Sequence, residues 1–121
     1  MQTALATKTE LTVAQIQSMI ADARIAAAAA AERYYAEVLG GRDRMPCGFA
    51  WVKITGFNGE RIRGNTKLGR ALKAAGVDDF MLWNPSGHCC QNIDTKMAGA
   101  KVAATVLKRY GFDAFADSRW D

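Results

Sequence analysis

The sequence predicts an α+β domain: a long N-terminal helix, then a βαββαβ order giving a ferredoxin-like antiparallel sheet with helices on one face. Three observations predict it. Apolar residues recur every three or four positions from Val13 to Val38. At Phe49 the pattern changes to alternation with period two. Beyond it, turn-forming residues at Gly56, Asn58, Gly59, Gly76, Pro85, Gly87 and Gly111 cut the chain into pieces of strand or helix length.

Residues 1–11 are expected to be a flexible N-terminus ahead of one domain over residues 12–121, with a helix at 12–39 and a sheet core at 46–121. Thr12 can cap the helix, Gly40 and Gly41 can stop it, and its alanines favour it intrinsically. The stripe Val13, Ile16, Met19, Ile20, Ala23, Ala27, Ala30, Tyr34, Val38 needs a partner. Two stay open: the domain's own sheet, or the same helix of a second subunit in a homo-oligomer.

After a turn at residues 42–46, Phe49 to Thr55 reads as a strand with Phe49, Trp51 and Lys53 on one side and Ala50, Val52 and Ile54 on the other. A loop follows, and Asn65 or Thr66 can cap a helix running to Ala75 with Leu68, Ala71, Leu72 and Ala75 inward. Residues 80–84 read as a second strand, Pro85–Gly87 as a turn and residues 88–93 as a third strand beside it. Asp94 or Thr95 can cap the last helix, which runs through Tyr110 to a stop at Gly111, and residues 112–119 close the sheet. Should the hairpin at 80–93 not form, a three-stranded α+β sandwich remains.

A chain of 121 residues, half of them apolar, is one domain able to bury roughly two-thirds of its unfolded surface. It needs no disulfide or metal staple. Three cysteines, Cys47, Cys89 and Cys90, without a secretory leader point to reduced thiols in a cytoplasm. No apolar run reaches the roughly 20 residues of a membrane span, so no membrane association is expected. The charge is more telling. Arg61, Arg63, Lys67, Arg70 and Lys73 lie in a stretch free of acids; subtracting them from the net +4 leaves the remainder at −1. A local basic patch points to an anionic partner.

Three features can carry function. At Glu60–Arg70 a helix start offers free N–H groups, and Arg61, Arg63, Asn65, Lys67 and Arg70 can hold an anion. The spacing is not that of a P-loop, and a capped helix with a solvated basic face would look the same. On the sheet, Trp51 and Trp83, with Phe49 and Met81, can stack bases as open-sheet RNA-binding modules do. That needs exposed rings, whereas the N-terminal helix is expected to cover this face. In NPSGHCCQNID, Asn84 to Asp94, Gln91 and Asn92 are the polar residues a turn does not require.

Chemistry finds less support. His88 with Cys47, Cys89 and Cys90 lacks zinc spacing, so no metal and no cofactor is expected. CGFAW is similar to the CGSCW of papain-like proteases, but Ala50 stands at the nucleophile's position. A Cys47–His88 dyad has nothing in the sequence to bring it together. No catalytic residue is assigned, and an enzyme is the less favoured reading.

The N-terminal helix, the strand CGFAWV at Cys47–Val52, Gln91-Asn92 before an Ala-rich helix and the terminal Arg119-x-Asp121 together resemble a family of small tailed-bacteriophage proteins of uncharacterised activity. The resemblance implies an accessory protein in the host cytoplasm and is poor between Asn58 and Met81. The expected function is a non-enzymatic binding module for nucleic acid or a nucleotide. Alternatives are a protein–protein inhibitor or anti-defence factor aimed at a host protein, and a small enzyme.

Overall fold

The computed structural model describes residues 11–121; the flexible N-terminus expected over 1–11 lies, but for Leu11, outside them. Its elements are α1 (Val13–Glu37), β1 (Gly48–Phe57), β2 (Glu60–Arg61), α2 (Lys67–Ala74), β3 (Met81–Trp83), α3 (Ile93–Arg109) and β4 (Phe112–Trp120). A short 3-10 turn, Asp78–Phe80, precedes β3. The fold is mixed α+β with a four-stranded antiparallel sheet and the long helix first.

α1 begins where expected. Thr12 Oγ1 accepts from the Gln15 N–H at 3.0 Å and Gln15 Oε1 accepts from the Thr12 N–H at 2.8 Å, a reciprocal capping box. Its buried stripe is Ile16, Ile20, Ala23, Ala27 and Ala31. That stripe is spent within the chain, chiefly on α3, which runs antiparallel to it. Of the partners expected from the sequence, the domain's own sheet takes less of it than α3 does. Asp22 receives the Tyr110 hydroxyl at one end of this seam and Glu32 meets His88 at the other. In the middle Gly99 lets the backbones close up: a Cβ there would lie 2.7 Å from Ser86 Cβ and 3.0 Å from the Ala27 carbonyl oxygen.

β1 is the central strand. β4 pairs along one edge, from Gly48↔Trp120 to Phe57↔Phe112, while β3 (at Trp51–Lys53) and β2 (at Gly56 and Phe57) share the other. Ala50, Val52, Ile54, Leu82, Phe112 and Ala114 face the helices and join Ile16, Ile20, Leu72 and Leu107 in one core. A register shift between Ile54 and Gly56 marks a bulge at Thr55. It reverses the alternation, so Phe57 turns inward against Phe112, ring centroids 4.8 Å apart.

The ferredoxin-like order is not confirmed. There the strand after the first crossover helix runs parallel to the first strand, with another between; here Met81–Trp83 is adjacent and antiparallel to β1. The strand expected at 88–93 does not form beyond a single bridge, Cys47↔Asn92. Side chains have taken the backbone donors a ladder would use: His88 N–H goes to Ser86 Oγ, Cys90 N–H to His88 Nδ1, and Gln91 and Asn92 N–H to the Asp43 carboxylate. The fourth strand is instead β2, in a stretch expected to be loop. α2 is capped by Thr66, one of the two candidates, but α3 is capped by Asn92, upstream of both.

Two tests probe the α1–α3 seam. Gly99→Val overpacks it and should cost about 1–3 kcal/mol in chemical denaturation; undiminished stability would mean that the seam is loose. The bond from Tyr110 to Asp22 also holds the phenol above its usual pKa of 10.0. A group raised on folding stabilises below its unfolded pKa and loses that contribution as pH climbs through the folded one. Thermal melts of wild type and Tyr110→Phe should therefore differ at neutral pH and converge at strongly alkaline pH.

Candidate functional site

Because the helices gather on one face, the opposite face of the sheet is left open. Cross-strand partners share a face, so the register places its residues in three lanes. β4 supplies Asp113, Phe115, Asp117 and Arg119; β1 supplies Phe49, Trp51, Lys53 and Gly56; β3 and β2 supply Trp83, Met81 and Arg61. α1 does not cover the aromatic rings, contrary to expectation. Trp83 is 46% and Phe115 47% exposed.

The rings form a row. Trp51 and Trp83 face each other across β1 and β3, centroids 5.6 Å apart and 8° from parallel, and Phe49 continues the row 5.6 Å from Trp83. Two cations border its end: Lys96 Nζ lies 5.4 Å and Arg119 Cζ 5.5 Å from the Phe49 centroid. Lys96 reaches there from α3 and also donates to the Gly48 carbonyl at 2.9 Å. Lys53 is pinned by donating to the Asp79 carbonyl at 3.0 Å. A shallow cleft of about 200 Å³ opens between Phe49, Ala50, Trp83, Asn84 and Lys96.

The basic patch divides. Arg61 lies opposite Gly56 on the open face, with Asp113 across the strand. Arg63, Asn65, Lys67 and Arg70 are exposed around the start of α2. There Thr66 Oγ1 accepts from the Gly69 N–H at 3.0 Å and Arg70 Nη1 donates to the Asn65 carbonyl at 2.7 Å. The helix start is thus capped by its own chain. Arg119 and Asp121 make no ion pair with each other among the described residues; Arg119 lies over Phe49 and the Asp121 N–H donates to the Cys47 carbonyl at 3.1 Å.

Gln91 and Asn92 part company too. Gln91 is exposed and its Oε1 lies 3.4 Å from the Cys47 thiol. Asn92 is 1% exposed and caps α3. Its Oδ1 accepts from the Thr95 N–H and Oγ1–H, and its Nδ2 donates to the Arg44 carbonyl. That employment is structural and leaves Asn92 no surface from which to meet a ligand.

Nor do the thiols and the imidazole form a reactive pair. Cys47 meets Met45 and Gln91, while His88 accepts at Nδ1 from the Cys90 N–H, which leaves Nε2–H to donate to Glu32 Oε2 at 3.0 Å. Burial pushes the Cys90 thiol up, opposite to what activates a nucleophile. No group of three or more potential ligands able to hold a metal occurs among the described residues. No helix among them is long and apolar enough to cross a membrane.

Phe115 and Lys96 of the open face escaped the sequence reading. Phe115 was findable, since alternation over 112–120 sets it beside Asp113 and Asp117. Lys96 was not, because a helical lysine reaching the far face leaves no local pattern. Comparison with protein-family models, curated proteins and solved structures finds no match.

Asn92→Ala removes three side-chain hydrogen bonds, the α3 cap among them, and should cost about 1–3 kcal/mol in denaturant unfolding. Full retention of stability would return Asn92 to the candidate ligand-binding residues.

Proposed function

We propose that the protein is a non-enzymatic binding module whose open sheet face takes single-stranded nucleic acid. The observation that supports this is the row Phe49, Trp51, Trp83 on an uncovered sheet, bordered by Lys96 and Arg119. Aromatic rings on an exposed sheet offer stacking surfaces to any base, and neighbouring cations take the phosphates. At about 200 Å³ the adjoining cleft is below the roughly 300–1,000 Å³ of sites that enclose small ligands. A platform for a strand therefore fits better than an enclosed nucleotide site.

Asp113 and Asp117 share the face, which directs the phosphates toward the Arg119 and Lys96 end. Arg61 supplies a further charge near the bulge. The resemblance to small tailed-phage proteins accords with a role in a host cytoplasm. There the alternative of a host-protein inhibitor would draw on the same exposed rings.

Titration with short single-stranded oligonucleotides at low salt should quench tryptophan fluorescence. Trp83→Ala should weaken binding by about 1–3 kcal/mol, and Arg119→Gln should reduce the dependence on log salt by about 0.7. Absence of quenching by both DNA and RNA strands would overturn the proposal and favour a protein ligand for the face.

A further inference from the structure

The outer edge of β4 is a second unassigned surface. Among the described residues β4 pairs only with β1, leaving a nine-residue strand with a row of backbone groups facing outward. Which groups these are follows from the ladder. The Asp121 N–H donates to the Cys47 carbonyl, and the Asn84 N–H to that of Ala50. Between Cys47 and Ile54, ahead of the bulge, odd-numbered residues of β1 and β4 thus bond each other, and even-numbered residues of β1 bond β3. On β4 the N–H and C=O groups of Ala114, Ala116, Ser118 and Trp120 therefore point away from β1. Trp120, at the strand's end, is 76% exposed. A long edge of this kind is a template for another strand.

We infer that this edge pairs with the same edge of a second copy of the chain, antiparallel and centred on Ala116. The sequence of β4 is self-complementary about that residue. Asp113 meets the partner's Arg119, Phe115 the partner's Asp117, Ala114 the partner's Ser118, and exposed Trp120 the partner's Phe112. All nine residues are paired and no like charges oppose each other.

Neighbouring registers fail on charge. Centring on Phe115 sets Asp113 against the partner's Asp117; centring on Asp117 sets that carboxylate against its own copy. In the single chain the Ser118 N–H is held by its neighbour Asp117 Oδ1 at 2.8 Å. In the pair it passes to the carbonyl of the partner's Ala114. The dimer joins two sheets edge to edge and brings both open faces into one surface, with Phe115 of each copy near the join.

Sedimentation velocity of the full chain over a concentration series tests this, and wild type should be dimeric and dissociate on dilution. Ala116→Pro removes an outward N–H that β1 does not use, a change edge strands accept; it should leave circular dichroism unchanged and abolish the dimer. Asp113→Arg and Arg119→Asp should each weaken the dimer by roughly tenfold or more, because a two-fold interface carries the pair twice. Combining the two substitutions should restore it. A wild-type monomer at every concentration overturns the inference, as does a dimer indifferent to folded Ala116→Pro. Should Ala116→Pro unfold, the charge exchange decides alone, and failure of the double variant to recover overturns the inference.

Discussion

The close approach of α1 and α3 is the constraint on which the rest of the structure depends. Ala23, Ala27 and Ala31 on one helix, and Gly99, Ala100, Ala103 and Ala104 on the other, are all buried. Small side chains allow backbones to come together, and a Cβ at Gly99 would stand 3.0 Å from the Ala27 carbonyl oxygen. A helix so engaged has no apolar stripe left for the other side of the sheet. The consequence reaches the opposite face: Phe49, Trp51, Trp83 and Phe115 stay uncovered because α1 is committed elsewhere. An apolar row left open on a folded chain is a feature of recognition more often than of packing.

The start of α3 is the second organising point. Asp43, from the loop after α1, accepts from two successive backbone N–H groups at Gln91 and Asn92, and Asn92 then caps the helix while donating back to Arg44. A carboxylate facing free donors at a helix N-terminus is well placed electrostatically. This network ties the loop after α1 to the helix on which α1 packs. It also gives much of the polar cluster at residues 84–94 structural partners. His88, Cys90 and Asn92 are engaged in holding a turn and a cap.

The helices and central strand were legible in the sequence because each has a strong period and a clear end. Thr12 as a cap, the alternation from Phe49 and the stop at Gly111 needed no tertiary information. The sheet order was not legible, because it turned on residues 88–93, which read as a strand only as the return from the turn at Pro85–Gly87. Side-chain hydrogen bonds captured that backbone instead; the one from Ser86 is local, but those from Asp43 depend on a distant residue arriving in space. At the candidate site, Trp51 and Trp83 were legible as a pair on one face. Their exposure was not, since it follows from where α1 packs.

The bulge at Thr55 shows how one extra residue couples fold to surface. With an uninterrupted alternation from Ile54, Gly56 would turn inward and Phe57 outward, and Phe112 would lose the ring that packs against it. The extra residue sends Phe57 into the core and Gly56 to the open face, opposite both Asp113 and Arg61. Glycine is required there, because a Cβ would fall 2.5 Å from Asp113 Oδ2 and 2.8 Å from the Glu60 carbonyl oxygen. Closing the core at Phe57 and Phe112 therefore also carries Arg61 onto the aromatic face, apart from the other cations of its stretch. A charge that the sequence groups with α2 comes, through a single inserted residue, to the same face as the tryptophan row.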